Sequence, residues 1–312
     1  MRSYALNKVL QYIFVLIATS VIIFVLVRLS PTDPVAVILG GKQSSAETVA
    51  NIRQEFHLDR SPVEQYGIWA SGMLRGDFGT SYQYRQPVSD MIAQRMPVTL
   101  GIVILAMVIG VAVSIPLGIF SAVKRHKWQE GILSIVFLIL VACPPFLTSI
   151  LMIWFLSVHA PGFSFVGSAT TFGEFLQRIS LPALALSFSL IAFFSRVMKA
   201  GMTEELQSDY FMAARARGMG RNAIIWKHCF RNAIIPVVTI TGLEVGILLV
   251  GSVLVETVFS LQGIGSILIS AVQGSDYPVV QGITMLIVFI FLTISTILDI
   301  VYGLIDPRVR AL

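Results

Sequence analysis

The stretch VTLGIVILAMVIGVAVSIPLGIFSA, residues 98–122, runs for 25 residues without a charged side chain. A helix rises about 1.5 Å per residue, so about 20 apolar residues cross a hydrocarbon core about 30 Å thick, and this run is long enough. Segments 9–29, 132–157, 181–200, 234–255 and 279–303 meet the same test. Of 312 residues, 55% are hydrophobic and 12% charged. That is about half the charge of a soluble domain, too little to cover so much apolar sequence in water. The sequence therefore predicts an all-α integral membrane protein with six transmembrane helices. The first run follows Arg2 and Lys8, as a signal peptide would, but it is longer than the usual signal core. Arg28, Leu29, Ser30 and Pro31 stand where a small-residue cleavage site would be.

Orientation follows from the basic residues of short connections. Lys124, Arg125 and Lys127 lie in 123–131, and Arg196, Lys199, Arg215, Arg217, Arg221, Lys227 and Arg231 lie in 196–233. The connection 158–180 has only Arg178, and 256–278 has no Lys or Arg. The first pair is expected in the cytoplasm, which puts both termini there. The net charge of +5 is spread between apolar runs rather than gathered in a patch interleaved with aromatics, so it argues against nucleic acid as a partner. Three parts are expected: an N-terminal transmembrane helix (1–30), an extracytoplasmic cap (31–97), and a five-helix core (98–312) with a cytoplasmic loop at 200–233. Within the cap, Ala46–Phe56 and Pro62–Leu74 look helical, and Gly76–Gln86 is rich in turn residues.

Cys143-Pro144-Pro145 removes two backbone donors inside the third apolar segment and must kink or break it, and Pro116 is expected to do the same in the second. Such a break is either a packing kink or a wall of a translocation path. In the fifth segment Gly242 and Gly246 have the spacing of a close helix contact, with Glu244 between them. A carboxylate inside a bilayer must face a polar partner, a bundle interior or a water-filled cavity, so Glu244 serves either a pathway or a structural hydrogen bond.

The most specific segment runs Asp209-Tyr210-Phe211-Met212-Ala213-Ala214-Arg215-Ala216-Arg217-Gly218, then Met219-Gly220-Arg221-Asn222, and ends at Ile234-Ile235-Pro236. Asp209 can cap a helix, Gly218 can end it, and three alanines leave one side without bulk. Read from composition alone it is a solvated basic loop; a short helix with small residues also suits a groove in another protein.

Here the chain resembles the permeases of binding-protein-dependent ABC importers, in the peptide and nickel subfamily. Their cytoplasmic EAA loop has Glu-Ala-Ala, three residues, then Gly. Met212 stands at the glutamate position, while Ala213, Ala214 and Gly218 match, and Ile234-Ile235-Pro236 resembles the loop's end. Arg28 to Pro34, Leu58-Asp59, Gly76 to Ser81, Val255 to Phe259, Gly263-Ile264-Gly265, Asp276 to Val279 and Asp306 to Arg310 are similar to that subfamily too. Gln262 departs from it where proline often stands.

The resemblance implies a fold like that of type I ABC importer permeases, in the bacterial cytoplasmic (inner) membrane. It also implies a homologous second permease subunit, two cytoplasmic ATPase subunits and an extracytoplasmic solute-binding protein. Asp209, Tyr210, Ala213, Ala214, Arg215, Arg217 and Gly218 would then couple to the ATPase, with Glu244, Pro144 and Pro145 as candidates for the translocation path. The cargo would be di- or oligopeptides, or nickel or a metal–chelator complex. The alternative is a self-contained secondary transporter or channel, which would use broken helices and ionisable groups near the midplane.

An enzyme is the weakest reading. His57, His126, His159 and His228 lack metal-ligand spacing, and no HExxH or GxSxG motif occurs. Cys143 and Cys229 form no Cys-x-x-Cys pair, and Gly40-Gly41-Lys42, followed by Gln43, is a chance likeness to a phosphate loop. No catalytic residue, cofactor or metal site is expected in this chain.

Overall fold

A lipid-facing backbone must satisfy its own hydrogen bonds, and the named elements among the described residues are all helical. The computed structural model describes residues 2–159 and 171–305. The terminal Asp306 to Arg310 segment and much of the 158–180 connection therefore lie outside the described residues.

Five helices are long and apolar enough to cross a membrane. They are α1 (Arg2–Arg28), α5 (Val88–Val123), α8 (Phe172–Glu205), α12 (Ile235–Val258) and α14 (Tyr277–Ile305). The remaining expected span, 132–157, is not one rod: α6 (Trp128–Ala142) and α7 (Pro145–His159) meet at a bend of 103°. Each has 15 residues, about 22 Å of helix and short of a hydrocarbon core on its own. The count is thus five, or six if the bent pair is a single broken span.

The bend has a local cause. Pro144 and Pro145 supply no N–H, so the helical ladder stops at Cys143. The Pro144 carbonyl instead accepts the N–H groups of Leu147 (3.0 Å) and Thr148 (3.2 Å). The Pro145 carbonyl accepts the hydroxyls of Thr148 (2.8 Å) and Ser149 (2.7 Å). Pro116 does not break its helix, because α5 continues through it. One proline removes one hydrogen bond, which a long helix tolerates; two in succession remove adjacent ones.

Contacts divide the chain into two compact units, residues 1–99 with 262–312, and residues 100–261. In the first, α1 packs along α14, and three short helices follow: α2 (Pro34–Ile38), α3 (Ala46–Glu55) and α4 (Pro62–Met73). Each starts on a side-chain cap. Asp33 accepts from Val35 N–H, Ser45 accepts from Thr48 N–H, and Ser61 and Glu64 form a reciprocal capping box. A further helix, α13 (Ile264–Gln273), packs on α14 where only a connection was expected. Val88, Met91, Ile92, Ile264, Ile267, Ala271, Val279 and Ile283 form the buried cluster that holds it.

The turn between α4 and α5 is fastened to the start of α14 through Asp276, which is fully buried. Its carboxylate accepts the Ser81 hydroxyl, the Tyr82 N–H (3.0 Å) and the Gln83 N–H (3.1 Å). The Tyr277 hydroxyl adds a bond to the Thr32 carbonyl at 2.8 Å.

In the second unit, α6, α7 and α12 pack on α8. The α5 side of this unit meets α8 through glycines. A Cβ built at Gly118 would lie 2.8 Å from the Ser195 carbonyl oxygen, and one at Gly110 2.9 Å from Leu190 Cβ. Only hydrogen fits at such approaches, the usual reason for small residues between membrane helices. The inner-loop helices α9 (Asp209–Ala216), α10 (Arg221–Ile224) and α11 (Phe230–Ala233) complete it, with a π-helical turn at Ile225–Cys229 before α11.

Replacing Asp276 by alanine strands three donors, two of them buried, and hydrogen bonds to a charged group contribute about 1.5–3 kcal/mol each. In Asp276→Ala the amides of Tyr82 and Gln83 should lose about 100-fold in hydrogen-exchange protection, a local opening that such an energy permits. Unchanged protection at those two amides would contradict the role given to Asp276.

Candidate functional site

The predicted coupling segment is a helix, α9, one residue offset from the expected cap. Ser208 holds the N-cap position, and Asp209 is the first helical residue, where its charge complements the helix dipole. The other end closes as a Schellman motif. Gly218 N–H donates to the Arg215 carbonyl at 3.0 Å, and Met219 N–H donates to the Ala214 carbonyl at 3.2 Å. Gly218 has φ +82°, and a Cβ there would meet nothing within 4 Å. The glycine is therefore needed for its left-handed backbone, not for space.

Two residues hold α9 down: Phe211 is buried and Ala214, one turn on, is partly buried. Asp209, Tyr210, Met212, Ala213, Arg215, Ala216, Arg217 and Gly218 are exposed. The expected small side is thus divided: Ala213 and Ala216 face outward, whereas Ala214 turns inward. The Tyr210 hydroxyl donates to Glu205, which also accepts from Asn232 Nδ2 at 3.4 Å. Glu205 so ties the start of α9 to the segment leading into α12, a role that its sequence context did not signal. At Gly201 a Cβ would lie 3.1 Å from the Ala233 carbonyl oxygen, so α8 and α11 also touch backbone to backbone. Cys229 is buried, and burial, with the Glu205 carboxylate second, pushes its thiol above the usual range. It stays protonated and unreactive.

The pathway candidates are less gathered. Glu244 sits half-buried on α12, between a buried stripe containing Gly242, Gly246 and Leu249 and an exposed stripe of Leu243, Ile247, Val250 and Leu254. Among the described side-chain hydrogen bonds none joins Glu244 to a partner, so the structural hydrogen bond considered for it is not formed with a described residue. Pro144 is exposed and Pro145 half-buried at the α6–α7 bend. Thr148, just beyond, reaches the Ala185 carbonyl at 3.4 Å and attaches that bend to α8. A second buried carboxylate escaped attention as a site: Glu256, fully buried near the end of α12. An apolar context on both sides is the signal that could have marked it.

Residues 114–311 match the family described as the binding-protein-dependent transport system inner membrane component, and residues 1–103 match that family's N-terminal region. A peptide transport system permease protein of Brucella abortus is 35% identical over 314 residues, covering 99% of both chains. A peptide permease protein of Brucella ovis is 33% identical over 317 residues, again with 99% of each chain covered. The glutathione transport system permease protein GsiC of Escherichia coli is 34% identical over 310 residues, with the same coverage. The chain is thus a multi-pass bacterial inner-membrane transport subunit rather than an enzyme, and it belongs to the family of inner-membrane permease components of binding-protein-dependent ABC importers.

Proposed function

We propose that this permease carries di- or oligopeptides, or peptide-like solutes such as glutathione, into the cytoplasm, and that α9 receives the mechanical input from an ATPase. The peptide class is preferred to nickel or metal–chelator cargo because the similar relatives are named for peptides and glutathione. The observation that carries the coupling role is α9 itself. It is a short helix anchored by Phe211 alone among its large apolar residues, with Ala213, Ala216 and Arg217 turned outward and a glycine-dependent end.

The working arrangement is a pair of permeases, the second a homologue, with two cytoplasmic ATPases and an extracytoplasmic binding protein. Residues 1–30 form the first span, 31–97 the outer cap and 98–312 the core, with six spans if the bent pair is one, both termini inside and 200–233 in the cytoplasm. Alternating access needs a partner that favours one state over the other. ATPase closure on α9 would supply that bias through Glu205 and the Gly201–Ala233 contact, both of which adjoin the same loop. Dependence on a binding protein also disfavours a self-contained transporter or channel. Glu244 and the Pro144-Pro145 bend would border the solute path.

Gly218→Asp adds a carboxylate to the docking face at about the same backbone cost as Gly218→Asn, since both short polar side chains tolerate the left-handed region. Gly218→Asn keeps the backbone accessible. ATPase co-purification and ATP-dependent uptake should be lost in Gly218→Asp and largely retained in Gly218→Asn. Retention of both by Gly218→Asp would refute the docking assignment. Glu244→Gln should lower peptide uptake severalfold while assembly with the ATPase is preserved; normal uptake would remove Glu244 from the path.

A further inference from the structure

Two cavities in the unit formed by residues 1–99 and 262–312 lie in series along the same three helices. The first, about 650 Å³, is apolar and lies among Ile13, Ile17 and Ser20 of α1, Tyr66 and Trp69 of α4, and Phe289 of α14. The second, about 460 Å³, is polar and holds Arg28 and Gln65 with Arg53, Tyr82, Tyr277 and Gln281. They adjoin along the chain: Gln65 precedes Tyr66, and Gln281 lies one turn before Met285, which lines the apolar cavity. α1 ends at Arg28 and α14 begins at Tyr277, so the polar cavity lies at the ends of these two candidate spans, next to residues 31–97, and the apolar one lies along them.

Two donors in this pair of cavities lack acceptors. Gln281 is 6% exposed, and its Nε2 has no hydrogen-bond partner among the described residues; the same is true of Trp69 Nε1. The described contacts of Arg28 are neutral ones, the Gln65 side-chain oxygen and the face of Phe24 at 3.5 Å. Arg53 has Asp33 at 3.5 Å, so the polar cavity keeps a net positive charge. Burial pushes the Tyr82 phenol up to about 12, which leaves its hydroxyl protonated.

We propose that the two cavities together hold one anionic phospholipid, with an acyl chain between α1, α4 and α14 and the phosphodiester against Arg28 and Gln281. A free anion would use only the polar half, and a helix of another subunit would use only the apolar half. A phospholipid uses both, and its charge is the one that the donors require.

The test is native mass spectrometry of the purified permease–ATPase complex titrated with phosphatidylglycerol. The wild type should retain this lipid in preference to phosphatidylcholine. Arg28→Gln, which removes a charge-assisted hydrogen bond, should bind it about tenfold more weakly. Ala70→Phe, which fills the apolar cavity and leaves the cationic one intact, should lose it as well. Should Arg28→Gln fail to assemble, Ala70→Phe decides alone. Equal binding by wild type and Ala70→Phe would overturn the proposal, as would displacement of the lipid by inorganic phosphate. A cross-link from position 69 to another protein subunit in the assembled complex would also overturn it.

Discussion

Hydrocarbon offers no hydrogen bonds, and this one property of the solvent explains most of what the chain does with its backbone. Long helices satisfy themselves, and where a helix stops inside apolar sequence the loose groups must be met at once. At Pro144-Pro145 a new helix starts at once: the Pro144 carbonyl accepts from the Leu147 and Thr148 N–H groups, and the Pro145 carbonyl from the Thr148 and Ser149 hydroxyls. The chain changes direction there by 103° while helix resumes within one residue of the break. The same requirement explains the buried Asp276, whose carboxylate gathers three donors from a turn that has no ladder of its own.

The regular elements were legible because their signals are local. Residues 46–56 and 62–74 follow the N-capping serines Ser45 and Ser61, and α3 and α4 end within a residue of the expected limits. Apolar length likewise found α1, α5, α8, α12 and α14, although α5 begins at Val88 because ten residues assigned to the cap continue the same helix. What could not be read was tertiary. Nothing in Cys143-Pro144-Pro145 distinguishes a modest kink from a full turn, since the angle depends on what α7 packs against. The short α13 was missed because its ten residues are held in part by Val88, Met91 and Ile92, residues far away in sequence.

The coupling segment was legible to a different degree. Its helix, its glycine end and its exposure follow from Ser208 to Gly218, yet the direction of each alanine does not. A helix of eight residues buries whichever side its neighbours cover, and here Phe211 decides that Ala214 turns in and Ala213 out. Glu205 has the same lesson: an ordinary glutamate at the end of a long helix becomes the joint between α9 and Asn232 only when the loop folds back. This joint links the start of α9 to the helix that leads into α12.

The central claim is that α9 stands in the cytoplasm and is covered by an ATPase. A single cysteine at position 217 (R217C), in a chain whose Cys143 and Cys229 are replaced, can be tested with a membrane-impermeant thiol reagent. The account predicts labelling in inverted vesicles but not in intact cells, and loss of that labelling when the ATPase is bound. Labelling from the outer side, or labelling indifferent to the ATPase, would contradict it.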